Sequence, residues 1–381
     1  MRNGSDPSVP KTPVSIAVRH LLRQTIRRGL SGKRGWLASV EEPHGSMQLF
    51  TAVIQPSYRW GALSLRVLVI DPQARSWREL FVLHDEIRDL MPTVVSADGR
   101  LIAVATPTLR VYDLAGRMVE QLGGEYECGV APVWSPTAPV MVVRQGETLV
   151  LWRPGEHSGV MRLAEDCETA WPIGWSPDGE RITFLARIPG REHRWLGNLV
   201  VQDVKSGRRE QAASDVSWDG EAAWRPRSRL IVWTQEREDQ EQTELWVRDL
   251  DVAESRSGPR LSGRATRLRW SADGEWLAFR WHPIGRGRRR CHGAPCVVPA
   301  ASLLRPAAER DAKGLDLYLC HPSVSSGTLF QWNAEGQLMY SRDRRTLELF
   351  DPRTGESKSL FALRDGEIVF AERSGRRQAE A

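Results

Sequence analysis

One short phrase recurs six times along this chain of 381 residues. Its fullest form is a tryptophan followed by Ser-Pro-Asp-Gly. The copies begin at residues 95, 134, 175, 224, 270 and 332, so the steps between them are 39, 41, 49, 46 and 62 residues. A recurring period of about 40 residues is typical of propeller blades and solenoid repeats. The copies are Val95-Ser-Ala-Asp-Gly99, Trp134-Ser-Pro-Thr137, Trp175-Ser-Pro-Asp-Gly179, Trp224-Arg-Pro-Arg227, Trp270-Ser-Ala-Asp-Gly274 and Trp332-Asn-Ala-Glu-Gly336.

The phrase predicts a tight turn between two β-strands. Pro presets φ, Asp bonds back to the backbone, and Gly tolerates a positive φ. Each copy is followed by a short β-rich run, such as Leu101-Ile-Ala-Val-Ala105, and then by an alternating run, such as Leu109-Arg-Val-Tyr-Asp113. A weaker polar strand follows in several copies. Two apolar or alternating strands followed by a weaker polar strand are typical of a blade that runs from the hub of a propeller to its rim. The pattern therefore predicts an all-β chain, a β-propeller of four-stranded blades. We expect no chemistry from the repeats themselves.

These turns and strands resemble the TolB-type, or PD40, propeller repeat over roughly residues 45 to 370. The sequence departs from the WD40 pattern, because its only Trp-Asp pair, Trp218-Asp219, precedes an inner strand. It departs from the sialidase Asp-box as well, because Gly directly follows Asp. The resemblance implies a propeller that binds proteins or small ligands at one mouth of its central channel, and fold alone gives only analogy for function.

The number of blades depends on how the ring closes. Six phrases give six blades, and residues 48 to 83 supply three further strands with no preceding phrase. The missing inner strand of that group is either Trp36-Leu-Ala-Ser-Val40 or, across the ring closure, Glu367-Ile-Val-Phe-Ala371. We predict seven blades within a propeller domain of residues 35–373, with six as the alternative. Residues 374–381 are predicted to be a disordered tail.

The first 34 residues form a basic N-terminal arm. Residues 1 to 40 carry eight Lys and Arg against one Asp, a balance of +7, so the remaining chain is about −2 of the total +5. The propeller itself therefore does not favour nucleic acid as a partner. An amphipathic helix is predicted from about residue 16 to residue 30. Its candidate partner-binding residues are Arg19, Arg23, Arg27 and Arg28.

Several roles for this arm are open. The helix could pack on the propeller, enter the groove of a protein partner, or lie on an anionic membrane surface or on nucleic acid. Its Arg-rich, acid-poor composition also fits an organellar transit peptide. No secretory signal or apolar run long enough to span a bilayer is visible in the sequence. Five cysteines, an odd number, fit a reducing compartment. We therefore expect a cytoplasmic protein.

One long insertion, residues 283–313, is predicted as a loop between two strands, followed by the third strand of its blade at Leu315-Asp-Leu-Tyr-Leu319. Cys291 and Cys296 in the insertion, with Cys320 and His321 after it, are weak candidates for a zinc site. A disulfide between Cys291 and Cys296 is an alternative, and unligated loop thiols are the favoured interpretation.

Sequence motifs for catalysis were mostly not found. The chain contains neither a Gly-x-Ser-x-Gly elbow nor a His-Glu-x-x-His pair. No catalytic residue and no cofactor is predicted. The favoured function is a non-catalytic interaction module or scaffold that binds a protein partner through its loops and its N-terminal arm. The alternatives are a propeller enzyme, a lyase or hydrolase with a polar site in the central channel, and a structural subunit of a larger complex.

Overall fold

The structure is a computed structural model of the whole chain. Within it, the residues that can be described are 37–40, 49–56, 63–71, 76–84, 93–105, 108–123, 131–146, 148–156, 160–164, 171–187, 196–217, 222–237, 242–252, 254–282, 293–305, 318–319, 330–333, 335–343, 345–363 and 367–373.

The described residues are almost entirely β-strands with one short helix. In chain order the elements are β1 (Leu37–Val40), β2 (Leu49–Pro56), β3 (Leu63–Asp71), β4 (Ser76–His84), β5 (Thr93–Val95), β6 (Leu101–Ala105), β7 (Leu109–Asp113), β8 (Met118–Leu122), β9 (Val133–Trp134), β10 (Met141–Gln145), β11 (Thr148–Trp152), β12 (Val160–Ala164), β13 (Trp171–Trp175), β14 (Arg181–Arg187), β15 (Leu196–Asp203), β16 (Arg209–Ser217), β17 (Ala222–Trp224), β18 (Leu230–Arg237), β19 (Gln242–Asp249), β20 (Glu254–Ser262), β21 (Arg264–Trp270), β22 (Trp276–His282), β23 (Ala294–Pro299), α1 (Ala300–Leu304), β24 (Tyr318–Leu319), β25 (Phe330–Trp332), β26 (Leu338–Ser341), β27 (Thr346–Asp351), β28 (Glu356–Leu363) and β29 (Glu367–Arg373).

In the described part of the chain these strands form seven antiparallel sheets, which we number along the chain. Six of them follow the six phrases, and sheet 1 is assembled from both ends of the chain. The prediction of a β-propeller with four-stranded blades is confirmed. From the inner strand outward, the sheets are sheet 1 (β29-β2-β3-β4), sheet 2 (β5-β6-β7-β8), sheet 3 (β9-β10-β11-β12), sheet 4 (β13-β14-β15-β16), sheet 5 (β17-β18-β19-β20), sheet 6 (β21-β22-β23-β24) and sheet 7 (β25-β26-β27-β28-β1).

The ring is closed by strands from both ends of the chain. The inner strand of sheet 1 is β29, which pairs with β2 so that Ala371 lies opposite Thr51. Of the two predicted sources for the missing inner strand, the one beginning at Glu367 is therefore confirmed. Residues 37–40 instead extend sheet 7 on its outside, with Leu37 opposite Leu363. Closure by strand pairing covers a sheet edge that would otherwise be open to other chains.

The hydrophobic core is divided among the junctions between sheets. Seven buried clusters are present in the described residues, and each joins side chains from two neighbouring sheets. The last of them packs Leu68 and Ile70 of sheet 1 against Leu349 and Phe361 of sheet 7. Each sheet is therefore stabilised mainly by its two neighbours, as in other repeat architectures.

The recurring tryptophan of the phrase connects neighbouring sheets at these junctions. In five copies of the phrase its indole N–H donates a hydrogen bond to the preceding sheet, and we call this contact the tryptophan latch. The acceptor is a backbone carbonyl in four cases and a threonine hydroxyl in the other. The latches are Trp134 to Val94 O (3.3 Å), Trp175 to Val133 O (2.9 Å), Trp224 to Thr183 Oγ1 (2.7 Å), Trp270 to Ala223 O (3.3 Å) and Trp332 to Arg269 O (2.8 Å).

Sheets 1 and 2 meet in another way, because Val95 replaces the tryptophan. The rings of Phe81 and Tyr112 stack across this junction with their centroids 4.0 Å apart. Gly116 approaches the sheet 1 backbone so closely that a Cβ built on it would lie 2.1 Å from Leu80 O. Aromatic stacking and close backbone approach therefore replace the latch at the junction of sheets 1 and 2.

The predicted turns are present. Gly179, Gly274 and Gly336 have φ of +73°, +75° and +74°, so the predicted left-handed glycines are confirmed. In the turn after Trp270, for example, the Gly274 amide donates to Ser271 O at 2.9 Å.

Sheet 6 departs from the prediction. Its third strand is β23, residues 294–299 within the predicted loop insertion, and the predicted third strand supplies only the short fourth strand β24. The prediction of a loop over all of residues 283–313 was wrong, because Cys296, Val297 and Val298 are apolar enough to be fully buried between sheets. The prolines at both ends of this run hid the strand. Proline has no N–H to donate to a neighbouring strand. The two prolines are tolerated because β24 pairs only with Cys296 and Val297, which lie between them.

Several predictions fall on residues outside the described ranges. They are the boundary of the basic arm at residue 34, the helix from about residue 16 to residue 30, and the tail at 374–381. No helix in the described ranges is both long enough and apolar enough to cross a bilayer.

Candidate functional site

The hairpins that follow the inner strands all lie at one end of the ring. In a meander of antiparallel strands, the turn from first to second strand and the turn from third to fourth strand share one end. We call this the turn end, and the opposite end, with the remaining connections, the loop end. The turn end is the candidate interaction face, because the hairpins that carry the recurring phrase lie there.

Three of the turns are fixed by the same serine and aspartate pair. The serine hydroxyl donates to the aspartate carboxylate, which accepts the amide two residues further on, and the serine oxygen accepts the amide that begins the next strand. These side chains are therefore used to stiffen the turn. The pairs are Ser96 with Asp98 (2.6 Å), Ser176 with Asp178 (2.5 Å) and Ser271 with Asp273 (2.5 Å).

The turn of sheet 5 has Arg225 at the position where four other copies of the phrase have serine and the copy in sheet 7 has asparagine. The Arg225 Nε donates to Gly274 O at 2.9 Å, and its Nη2 lies 3.5 Å from a Glu275 carboxylate oxygen. Its guanidinium carbon also lies 5.7 Å from the centre of the Trp270 ring. One side chain therefore ties the turn of sheet 5 to the turn and to the latch tryptophan of sheet 6.

A second arginine continues this tie to sheet 7. Arg353 Nη2 lies 3.1 Å from Asp273 Oδ2, and its Nη1 donates to Glu335 O at 2.9 Å. Burial acts to raise the pKa of Asp273, but the Ser271 hydroxyl, the Glu275 amide and the Arg353 charge outweigh it, so this pKa lies below its usual value. The carboxylate stays ionised and holds Arg353 in place. The turns of sheets 5, 6 and 7 thus form one braced surface, which we call the braced face.

Arg227 stands at the tip of this surface. It has a φ of 56°, a left-handed conformation that costs a residue with a Cβ about 1–2 kcal/mol. Its side chain is exposed and has no hydrogen bond or ion pair with another described residue. The arginines on either side are engaged, Arg225 with sheet 6 and Arg229 with Asp251 at 2.6 Å. A strained, exposed cation is thus held between two braced neighbours.

Sequence reasoning missed these arginines as site residues. The phrase at residue 224 departs from the others by having Arg at its second and fourth positions, and this departure was the available signal. Arg353 gave no such signal, because its partner Asp273 is 80 residues away in sequence.

The site residues predicted from sequence are not brought together here. Arg19, Arg23, Arg27 and Arg28 lie outside the described residues, and so do Cys291, Cys320 and His321. The arm and a zinc site therefore stay predictions. In the described residues, no three His, Cys, Asp or Glu side chains are grouped closely enough to hold a metal ion.

Cys296 is the one predicted ligand that the structure describes. It is a free, fully buried thiol in the cluster between sheets 5 and 6, so the alternative of a disulfide with Cys291 was wrong. Burial raises the pKa of this thiol to about 12.

Similar folds occur among solved structures. The periplasmic gluconolactonase of Pseudomonas aeruginosa is 14% identical, with 87% of this chain and 99% of that chain covered and a TM-score of 0.56. Oligogalacturonate lyase from Vibrio parahaemolyticus is 9% identical, with 82% and 91% covered and a TM-score of 0.54. TolB from Acinetobacter baumannii is 14% identical, with 86% and 82% covered and a TM-score of 0.48.

These similarities concern the fold alone, because identity is low throughout. No protein-family model and no curated protein sequence matches the chain. The chain is therefore a β-propeller by fold, and its resemblance to the PD40 repeat stays a prediction.

Proposed function

We propose that this chain is a non-catalytic β-propeller that binds a protein partner through its braced face and its N-terminal arm. The observation that carries the proposal is the exposed, strained Arg227 between Arg225 and Arg229, which are both already engaged. Backbone strain at an exposed charged residue persists where the surrounding structure enforces it and is typical of functional positions.

The electrostatics of the turns support a binding role over acid–base chemistry. Among the described residues, the carboxylates with a pKa below the usual value are those of Asp113, Asp203, Asp273 and Asp343. Each of them lies in or beside a turn and accepts backbone amides there, which lowers its pKa. These groups stabilise turns. A rigid surface loses little conformational entropy on binding, so it is well suited to recognition.

Capture from the native host, read by mass spectrometry with crosslinking, tests the proposal. The Arg227→Glu variant should lose most of its partner, and changing Arg19, Arg23, Arg27 and Arg28 together to Gln should weaken capture in a salt-dependent way. The matched control is Lys205→Glu, an exposed cation at the turn end of sheet 4. Equal capture by the wild type and both test variants would contradict the proposal.

The alternative function, a propeller enzyme, would require a different kind of site. A lyase or hydrolase would need convergent acid and base side chains in the central channel. The gluconolactonase and the lyase share the fold with this chain, and that likeness alone does not transfer their activity. A structural subunit of a larger complex would also be captured with partners, but its assembly would not depend on Arg227 alone.

A further inference from the structure

Buried hydrogen-bond donors without an acceptor are concentrated at the junction of sheets 4 and 5. In the described part of the chain, seven side chains contain a buried nitrogen or oxygen atom that has no hydrogen-bond partner, and four of the seven belong to sheet 5. Three of these four are N–H donors on one face of the sheet, namely Trp233 Nε1, Trp246 Nε1 and Arg248 Nε. Buried N–H groups are nearly always paired in folded proteins, so three exceptions on one face indicate a missing acceptor.

The three donors occupy neighbouring positions on the face of sheet 5 that packs against sheet 4. Trp233 on β18 lies directly opposite Trp246 on β19, and their rings stack with centroids 6.1 Å apart. Trp233 belongs to the buried cluster that joins the two sheets, and Trp246 packs against it. Arg248 follows Trp246 by two positions on the same strand, so its side chain leaves the same face. Its Nη1 donates to Ala212 O on β16 of sheet 4 at 2.9 Å.

The facing strand of sheet 4 is irregular just beyond this contact. Ala213 pairs with Leu199 and Val216 pairs with Gly197, so β16 contains one extra residue between these two pairs. Asp215, inside this bulge, has a φ of 57°. A bulge bends its strand and interrupts the regular row of backbone groups. The bulge follows Ala212 toward the loop end, as the tryptophan pair follows Arg248, and this irregularity gives a physical reason why no backbone carbonyl of sheet 4 accepts from the indoles.

The residues at this junction define the chemistry of the missing acceptor. Three N–H donors select a group that accepts hydrogen bonds and brings no donor of its own. The charges are already balanced, because Arg248 pairs with Glu210 and Arg260 Nε donates to Glu244 Oε1 at 3.0 Å. A carboxylate would add an unbalanced charge to a buried site, which costs more free energy than burial of a neutral carbonyl. Indole N–H groups already donate to carbonyl oxygens in four latches of this fold.

We propose that the junction of sheets 4 and 5 binds a small neutral molecule, an amide, ester or ketone, whose carbonyl oxygen accepts from the indoles of Trp233 and Trp246, with Arg248 Nε as a further donor. Trp246 is half-buried and lies on the third strand, so the ligand enters from the outer side of the ring. This site is separate from Arg227 at the turn of the same sheet and does not depend on the protein-partner proposal.

Nuclear magnetic resonance of the indole N–H groups in the full chain, labelled with ¹⁵N-tryptophan, tests the proposal. The probes are N,N-dimethylacetamide, ethyl acetate and cyclopentanone, with sodium acetate as the charged comparison. In the unliganded protein the Trp233 and Trp246 proton signals should lie upfield of the latch signals, because a proton without an acceptor is more shielded. A carbonyl probe should move both signals downfield and leave the Trp175 signal in place. The variants Trp233→Phe, Trp246→Phe and Trp175→Phe assign the three signals.

The same variants measure what each N–H contributes to binding. Trp246→Phe should raise the dissociation constant of the best carbonyl probe about two- to tenfold, as expected for one lost neutral hydrogen bond. The half-buried position of Trp246 makes this variant the safer of the two, and Trp233→Phe should act in the same direction. Trp175→Phe is the matched control, because it removes the N–H of a latch at the neighbouring junction and should leave probe affinity unchanged. Arg227→Glu should leave it unchanged as well, so this proposal and the protein-partner proposal fail separately.

Three results would refute the carbonyl site. The first is that no carbonyl probe moves the Trp233 and Trp246 signals at millimolar concentration, or that Trp246→Phe binds the best probe like the wild type. The second is that both signals of the unliganded protein already match those of the latch indoles, which would mean that buried water serves these donors. The third is that acetate binds more tightly than the neutral probes.

Discussion

Neighbouring sheets meet differently in the middle of the chain and at its ends. From sheet 2 to sheet 7, each junction carries a tryptophan latch donated by the later sheet to the earlier one. At the junction of sheet 1 with sheet 2 no latch is found among the described residues; besides the buried cluster, Phe81 stacks on Tyr112, Arg78 donates to Leu114 O and Gly116 approaches Leu80 closely. One repeated contact thus joins sheets 2 to 7 in sequence, and contacts of another kind join sheet 1 to sheet 2.

This difference follows from the way the sequence is organised. A latch needs a tryptophan at the end of an inner strand, and sheet 2 has Val95 there. The inner strand of sheet 1 comes from the far end of the chain, so its pairing with β2 must form over more than 300 residues of sequence separation. Closing such a long loop costs more entropy than joining adjacent repeats, although the cost grows slowly with length.

Removal of β29 should have the largest effect. Truncation after residue 364 deletes the inner strand of sheet 1 and opens an edge on β2. We expect loss of the cooperative unfolding transition and self-association, because an open edge pairs with other chains. Size-exclusion chromatography with light scattering and thermal unfolding by circular dichroism measure both. Truncation after residue 375 keeps β29 and should melt like the full chain. A monomeric 364-residue protein with wild-type melting would show that closure is dispensable.

Gly116→Ala should be the next most damaging change. The added Cβ would lie 2.1 Å from Leu80 O, and the residue has a φ of +77°. The left-handed conformation costs about 1–2 kcal/mol and the overpacking about 1–3 kcal/mol, so the free energy of unfolding should fall by about 2–5 kcal/mol. Chemical denaturation measures it.

Gly207→Ala is the control for this change. Gly207 occupies the corresponding turn of sheet 4 with a φ of +71°, and nothing lies within 4 Å of a Cβ built there. This variant should therefore lose only the conformational part, about 1–2 kcal/mol. Equal losses for the two variants would mean that the added Cβ is accommodated at the junction of sheets 1 and 2, and that the close approach there does not restrict residue 116.

Trp175→Phe should weaken one latch. It keeps most of the buried ring but removes the N–H that donates to Val133 O at 2.9 Å. We expect a loss of about 1–2 kcal/mol in the free energy of unfolding, from the lost bond and the carbonyl left unpaired. Trp77→Phe on sheet 1, where the side chain is 41% exposed, should change it by less than about 0.5 kcal/mol. If Trp175→Phe lowers the free energy of unfolding no more than Trp77→Phe does, the Trp175 hydrogen bond does not stabilise the fold and the ring contributes only packing.

The sequence predicted the features of this molecule that depend on local signals, and it did not predict those that depend on contacts between distant residues. The six phrases, their glycines and the strand at Glu367 were accessible because turn chemistry and alternation are local signals. The strand at residues 294–299 was hidden, because prolines and a neighbouring arginine run are typical of loops. The braced face was hidden for another reason. Its ties join residues such as Asp273 and Arg353, which are brought together only when sheets 6 and 7 pack.

Asp273→Asn should have the smallest effect, and its sign depends on pH. The pKa of Asp273 is lowered in the folded protein, because the Ser271 bond, the Glu275 amide and the Arg353 charge outweigh the opposing effect of burial. A group with a lowered folded pKa stabilises the fold above its unfolded pKa, and this contribution is lost as the pH falls through the folded value.

The wild type should therefore be more stable than Asp273→Asn between about pH 5 and 7, by less than about 1 kcal/mol because the pair with Arg353 is partly exposed. The difference should shrink progressively below about pH 4, and denaturation at a series of pH values measures it. Asp98→Asn is the control, because Asp98 makes the same turn contacts with Ser96 and the Arg100 amide without a recorded arginine from another sheet. If both variants lose the same stability across the series, the link between sheets 6 and 7 adds nothing to the turn itself, and the braced face is limited to the turns of sheets 5 and 6.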